Sequence, residues 1–154
     1  MMTVFEKIKE LLDKARISYE VIEHEPVHTS ADAARVRGTD LSNGAKALVM
    51  YGDGNPLLVV VPADKKASFR KLKSHLGIND LRMASPEEVE TLTTLKVGSI
   101  PPIGKAIDLP SYFDGSFSGK DMIVFNAGSL TTSITMSARD LIVVENPQMF
   151  DIVE

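Results

Sequence analysis

The order of apolar and polar positions predicts a helix, a strand and a hairpin in the first part of the chain. Residues 4–16 carry apolar side chains at helical spacing with charged ones between them, which predicts an amphipathic helix. Tyr19–Glu23 is typical of a short strand. The apolar runs Ala45–Tyr51 and Pro56–Val61 flank the turn sequence Gly52-Asp53-Gly54-Asn55 and predict a hairpin. Because its second run is apolar throughout, we expect that strand to be buried on both faces.

Helix boundary signals recur further along. Thr29-Ser30-Ala31-Asp32 fits a capping box ahead of a short helix that ends near Gly38. Asp64–Leu76 has helical spacing and is followed by glycine. Ser85-Pro86-Glu87-Glu88 marks another helix start, with serine as the cap and proline at the first helical position.

The second half of the chain predicts short strands separated by a loop. Gly98–Gly104 is the loop, and Ala106–Leu109, Met122–Asn126 and Ser133–Thr135 are the strands, with a helical turn at Ser137–Leu141. Helices and strands follow one another in an irregular order rather than as βαβ units, which favours an α+β fold. The length of 154 residues, without a repeat or a linker, predicts a single domain over residues 1–154.

Composition and charge narrow the class of protein. The 17 Lys and Arg against 21 Asp and Glu give a net charge of −4, which argues against a tight, non-specific nucleic-acid binder and leaves room for a transient RNA contact. The absence of cysteine excludes disulfides and thiolate chemistry. The sequence contains neither a long apolar run nor a secretory leader, so we expect a cytoplasmic protein with no membrane or DNA partner.

Familiar catalytic and metal-binding motifs are missing from the sequence. His24 and His28 stand four residues apart, but Pro26 lies between them and breaks the helix that such a metal site would need. We therefore expect neither a metal nor a cofactor.

Lys46 is a candidate binding residue because of its position in the predicted hairpin. With a period of two it shares a strand face with Leu48 and Met50. A lysine at the mouth of an apolar strand face is suited to hold an anion or a polar substrate. The alternative is a lysine that extends from a strand end into solvent.

Positive charge is concentrated on the predicted helix that begins at Asp64. Five basic residues fall within nine positions: Lys65, Lys66, Arg70, Lys71 and Lys73. One interpretation is a solvated helix face. The other is a phosphate-contacting patch on an otherwise acidic protein.

Two glycine-containing segments are further candidates for contact with a ligand. In Gly98–Gly104, glycine at each end permits unusual backbone angles, and Pro101 and Pro102 stiffen the middle. In Val124–Ser129, a strand runs into Asn126-Ala127-Gly128, where small side chains allow close approach. Ordinary turns are the alternative for both segments.

Taken together and in order, these segments resemble the YbaK/prolyl-tRNA synthetase-associated editing-domain family over residues 18–145. The matching pieces are His24-Glu25-Pro26 with Thr29–Ala34, Ala45–Leu48, Val61–Asp64, Ala84–Val89, Gly98–Gly104, and Asn126-Ala127-Gly128 with Asp140-Leu141.

The resemblance implies a mixed, largely antiparallel sheet curled into a barrel-like core with flanking helices. It implies hydrolysis of the ester that joins a wrong amino acid to the 3′ acceptor end of tRNA, by a domain that acts in trans or with an aminoacyl-tRNA synthetase. A chain of this length without a synthetase domain is expected to act in trans. The resemblance further implies that water attacks the ester with help from the ribose hydroxyl of the substrate and that no protein nucleophile is used.

The family's invariant lysine corresponds to Lys46, which we expect to position the tRNA 3′ end. Residues expected to line the substrate pocket are Thr29, Gly98, Ser99, Ile100, Pro101, Pro102, Asn126 and Gly128. Residues expected to contact the tRNA backbone are Lys65, Lys66, Arg70 and Lys73.

The sequence departs from the alanine-clearing class at two positions. That class has Asn directly after the lysine, where this chain has Ala47, and a His on the late strand, where Asn126 aligns. Cysteine, serine, threonine and alanine stay open as the amino acid that is cleared. The alternatives to a deacylase are a non-catalytic module that binds tRNA or a synthetase, and a hydrolase of another small ester or amide.

Overall fold

A computed structural model describes residues 1–26, 35 and 40–154. Over these residues it contains four α-helices: α1 (Val4–Lys14), α2 (Phe69–Leu76), α3 (Pro86–Thr93) and α4 (Ala138–Glu145). Each begins at a Ser or Thr whose side-chain oxygen accepts a backbone N–H of the first turn, as expected for N-caps. None of the described helices is long and apolar enough to cross a bilayer.

The strands of the described chain form two sheets. A three-stranded antiparallel sheet has the order β1-β7-β6, where β1 is Tyr19–Glu23, β6 is Met122–Asn126 and β7 is Thr132–Ser137. A five-stranded sheet has the order β4-β2-β3-β5-β8. Its strands are β2 (Ala45–Gly52), β3 (Asn55–Pro62), β4 (Leu81–Met83), β5 (Ser111–Asp114) and β8 (Gln148–Phe150). β2 is antiparallel to β3 and β4, whereas β5 is parallel to β3 and β8.

The central strands of the five-stranded sheet are covered on both faces. Its first face joins the main core, which also contains apolar residues of the three-stranded sheet, α1 and α4. Its second face packs with Leu72 of α2 and Ile152. β3 contributes Leu58 and Val60 to the main core and Val59 to the second cluster, which confirms the burial expected from its apolar sequence.

The sequence predicts most of these elements. The first helix, the first strand, the hairpin, the serine-capped helix α3 and the strand Met122–Asn126 are confirmed within one or two residues. The α+β class is confirmed as well. The described strands do not form a closed barrel, and the barrel-like curling stays a prediction. The capping box Thr29–Asp32 lies outside the described residues.

Two predicted elements are wrong in position. The helix expected over Asp64–Leu76 begins only at Phe69, because Ala67 pairs with Val153 and the Ser68 N–H donates to the Ile152 carbonyl. Lys65 and Lys66 therefore precede the helix. The strand expected over Ala106–Leu109 is absent: Gly104–Ala106 is a 3₁₀ turn, and the strand begins at Ser111.

Candidate functional site

Lys46 lies near the start of β2, opposite Val61 of β3. As predicted, it shares a face with Leu48 and Met50, the face that packs toward the second apolar cluster. The lysine is half-buried, and its Nζ donates to the Lys65 carbonyl at 3.1 Å. Burial, reinforced by the positive charge of Lys66, lowers the pKa of Lys46 below its ordinary value. An anion bound beside Nζ would stabilise the charged form of the lysine and so oppose this lowering of its pKa.

An open cleft of about 780 Å³ extends from Lys46 toward the start of α2. Lys66, Arg70 and Lys71 add positive charge to its lining, and Glu154 adds a carboxylate. Lys71 is occupied by Asp151 and the Val153 carbonyl, at 3.0 and 2.7 Å. Lys66 and Arg70 are exposed, which leaves them and Lys46 as the cations of the cleft best placed to meet an anion.

The Gly98–Pro102 loop is attached at its first end to the turn after β6. The Asn126 Nδ2 donates to the Gly98 carbonyl, and the Gly128 N–H donates to the Ser99 carbonyl at 3.0 Å. Gly98 and Gly128 have φ of 92° and 82°, a region that favours glycine. The structure thus brings together the two glycine-containing segments that the sequence singled out, while the rest of the loop, Ser99–Pro102, is buried.

The loop continues beyond Pro102 to Gly104, and this far end is attached to a buried carboxylate. Glu145 at the end of α4 is 5% exposed and accepts hydrogen bonds from the Gly104 N–H at 2.7 Å, the Lys105 N–H at 3.3 Å and the Ser111 hydroxyl. Burial raises the pKa of Glu145, and its hydrogen bonds oppose that rise. A side chain at Gly104 would place its Cβ 2.1 Å from the Leu109 carbonyl oxygen, so this end of the loop requires glycine.

The two sheets meet where Gly44 and Val124 form a parallel bridge. Lys46 lies two residues beyond Gly44, and Asn126 lies two residues beyond Val124. The neighbours of each, Ala45 on β2 and Phe125 on β6, belong to the main core. Because strand side chains alternate between faces, both Lys46 and Asn126 are turned away from that core. They share one side of the junction, although the loop adds no residue to the described lining of the cleft.

The remaining predicted site residues are divided between positions inside and outside the cleft. Lys65 contributes its carbonyl to Lys46, and its exposed side chain lies in the turn before α2. Lys73 lies on α2 and is absent from the described lining of the cleft. Thr29 falls outside the described residues.

Three polar residues of this region are not marked as site residues by the sequence. His24 Nε2 lies 2.7 Å from Ser133 Oγ, and the Ser133 hydroxyl lies 3.2 Å from Asn126 Oδ1. Glu145 is the third. Polar and apolar residues alternate along β7, which indicates a polar sheet face formed by Ser133, Thr135 and Ser137. Nothing in the local sequence marks Glu145 as buried. No group of candidate metal ligands is found among the described residues.

Comparison with known proteins places these segments in a family. A model of the aminoacyl-tRNA editing domain matches residues 24–143. The Multifunctional Ser/Thr-tRNA deacylase ProXp-y of Escherichia coli K12 is 35% identical over 144 residues, which cover 90% of this chain and 86% of that protein. A proline–tRNA ligase of Thermosipho melanesiensis is 28% identical over 95 residues, covering 62% of this chain and 17% of the ligase.

The fold is also found in solved structures. That of a candidate trans-editing enzyme for prolyl-tRNA synthetase superimposes with a TM-score of 0.84 at 24% identity, covering 100% of this chain and 99% of that chain. Together with the family match, the relative named a deacylase indicates an enzyme that removes amino acids from tRNA. The chain belongs to the aminoacyl-tRNA editing domain family, which confirms the resemblance seen in the sequence.

Proposed function

We propose that the chain hydrolyses, in trans, the ester of a tRNA whose 3′ end carries a wrong, small amino acid. The observation that carries the proposal is the family match over residues 24–143, because it spans every segment of the candidate site from His24 to Asn126. A cytoplasmic location follows from this substrate.

Serine and threonine are the first amino acids to consider, since the relative with 35% identity is named a Ser/Thr-tRNA deacylase. Cysteine and alanine are the alternatives. An aminoacyl-tRNA synthetase is a candidate partner, because a stretch of a proline–tRNA ligase is similar to this chain.

The cleft beside Lys46 is proposed to receive the phosphate or ribose of the tRNA 3′ end. Four cationic residues line it on a chain whose net charge is −4, and of these Lys71 is already paired with Asp151, which leaves Lys46, Lys66 and Arg70 for the tRNA. A concentrated positive patch on an acidic protein attracts a polyanion locally without producing tight binding elsewhere. Half-burial of Lys46 strengthens its interaction with an anion, because water competes less for its ammonium group.

The chemistry proposed for the site is attack of water on the ester carbonyl carbon. The new bond forms between the water oxygen and that carbon, and the bond to the ribose oxygen breaks. The ribose oxygen takes a proton, and a free amino acid and a tRNA hydroxyl are released. The neighbouring ribose hydroxyl assists, Lys46 holds the acceptor end, and the Gly98–Pro102 loop orients the ester. Catalysis then depends on positioning and on fixed dipoles.

The test is a deacylation screen with tRNAs mischarged with alanine, cysteine, serine or threonine. We expect turnover by the unmodified protein. Lys46→Ala should lower kcat/KM by roughly ten- to a hundredfold, the equivalent of one charge-assisted contact. Lys46→Arg keeps the charge and separates the effect of charge from that of shape. Lys7→Ala, at an exposed position of α1, is the matched control.

Two results would change the proposal. Near-unmodified deacylation by Lys46→Ala over the whole panel would remove Lys46 from the mechanism. Binding of tRNA without hydrolysis of any of the four esters would replace the deacylase with the non-catalytic tRNA- or synthetase-binding module.

A further inference from the structure

A chain of hydrogen bonds connects His24, at the end of β1, to the first residue of the Gly98–Pro102 loop. His24 Nε2 lies 2.7 Å from Ser133 Oγ, Ser133 Oγ lies 3.2 Å from Asn126 Oδ1, and Asn126 Nδ2 reaches the Gly98 carbonyl. These residues come from three strands and one loop. The chain therefore joins segments that are up to 109 positions apart.

Sheet register explains why these side chains meet. Ser133 lies on the central strand β7 and pairs directly with Ile22 of β1 and Asn126 of β6. The His24 N–H continues the β1 ladder by donating to the Thr131 carbonyl at 2.9 Å. Ser133 is completely buried, so its hydroxyl needs partners within the protein.

The direction of each hydrogen bond follows from the groups involved. The Gly98 carbonyl only accepts, so Asn126 must present its amide N–H to the loop and its Oδ1 to Ser133. The single Ser133 proton then goes to Asn126, and Ser133 accepts from the His24 Nε2–H. His24 Nδ1 lies 2.8 Å from the Glu25 carbonyl, so each ring nitrogen has an oxygen within hydrogen-bond distance.

We propose that His24 and Ser133 are positioning residues: they fix the Asn126 side chain and, through it, hold the Gly98 end of the loop in the geometry that deacylation requires. The inference rests on the proposed function for its catalytic consequence. Neither residue is required to touch the substrate. Because the other end of the loop is held separately by Glu145, loss of the His24–Ser133 chain should loosen the Gly98 end alone.

Ser133→Ala and Thr135→Val are a matched pair for the test. Both positions lie on the same face of β7 and both substitutions remove a hydroxyl. The Thr135 Oγ1 is buried without a hydrogen-bond partner among the described residues, whereas the Ser133 Oγ belongs to the chain. We expect kcat to fall about tenfold in Ser133→Ala, the equivalent of one lost buried hydrogen bond, and to stay within about twofold in Thr135→Val.

Substitutions of His24 show which ring nitrogen acts. Glutamine carries an N–H near the position of Nε2, and asparagine carries one near that of Nδ1. We expect His24→Gln to retain most of kcat and His24→Asn to lose about tenfold, as Ser133→Ala does. The double variant of His24→Asn with Ser133→Ala should lose no more than either single variant, because both break the same chain.

Amide hydrogen exchange of Gly98, Ser99 and Ile100, the loop residues that carry a backbone N–H, provides a readout that does not depend on turnover. Faster exchange there in Ser133→Ala and His24→Asn, with unchanged exchange at Gly104 and Lys105, supports the inference. Unmodified kcat and loop exchange in Ser133→Ala, or equal loss in His24→Gln and His24→Asn, would overturn it. If the unmodified protein hydrolyses no ester, the proposed function fails, and loop exchange alone decides whether His24 and Ser133 position the loop.

Discussion

Removal of the Glu145 carboxylate should destabilise the protein and loosen the Gly104 end of the loop. The carboxylate accepts from the Gly104 and Lys105 N–H groups and from the Ser111 hydroxyl, in a position that is 5% exposed. In Glu145→Ala these donors lose their acceptor inside the protein. A buried polar group left unpaired costs about 1–3 kcal/mol.

The size of the effect follows from how well each donor can adapt. The Ser111 hydroxyl is able to rotate, and the Lys105 N–H makes the longest bond, 3.3 Å. The Gly104 N–H, at 2.7 Å, has no such freedom. Loss of the buried charge offsets part of the cost, so we expect about 3 kcal/mol for Glu145→Ala. Glu145→Gln keeps one oxygen for Gly104 and Ser111 and should cost about 1 kcal/mol. At roughly 2–4 °C per kcal/mol, Tm falls by about 6–12 °C for alanine.

The pH dependence has a definite sign. Burial raises the pKa of Glu145 above its unfolded value, so the folded state takes up this proton at a higher pH than the unfolded state. The stabilisation that comes from the proton is fully present below the ordinary glutamate pKa and is lost as pH rises through the raised one. Because Glu145→Gln cannot titrate, its deficit relative to the unmodified protein should shrink as pH rises through that window.

Denaturant unfolding at several pH values measures both effects. Glu90→Gln, at an exposed position of α3, controls for the loss of a glutamate. A cost below about 1 kcal/mol for Glu145→Ala, or a Glu145→Gln deficit that grows with pH, would refute the reasoning.

Three further predictions concern charge. Because the pKa of Lys46 is lowered, the deacylation rate should decline at a lower pH than deprotonation of an ordinary lysine would produce. A pH–rate profile measures this decline, and Lys46→Arg should remove it. Charge reversal at Lys66 and Arg70, which line the cleft, should raise KM and make it depend less steeply on salt concentration. An unchanged salt dependence would mean that these two residues form a solvated surface and do not contact tRNA. The pKa of Glu88, held at about 2 by Arg82, should rise in Arg82→Ala when followed by NMR titration.

Local sequence patterns predict elements whose boundaries are set locally. The hairpin over β2 and β3 depends on its own turn, and α3 depends on its own capping box, in which the Ser85 hydroxyl and the Glu88 carboxylate each accept a backbone N–H. Both were predictable within a residue or two. The start of α2 was not, because Ala67 and Ser68 pair with residues more than 80 positions later.

Apolar runs report burial rather than conformation. Ala106, Ile107 and Leu109 are buried in the main core, which is why their sequence is typical of a strand. The chain there is held instead by the Gly104 carbonyl, which accepts from the N–H groups of Ile107 and Leu109. The same limit applies to the site: glycine and proline mark the loop, but its partners His24, Ser133 and Glu145 become neighbours only when the sheets form.

The cleft and the loop attachments would meet different demands of the proposed reaction. The proposed electrostatic capture by Lys46, Lys66 and Arg70 would tolerate small displacements, because charge interactions vary gradually with distance. The proposed reaction by an oriented water would not, since catalysis without a protein nucleophile depends on placement of the ester within fractions of an ångström. A loop held at one end by Asn126 and at the other by the buried Glu145 carboxylate meets that demand. Substitutions in the cleft should therefore change KM and salt dependence, and those at the loop attachments should change kcat.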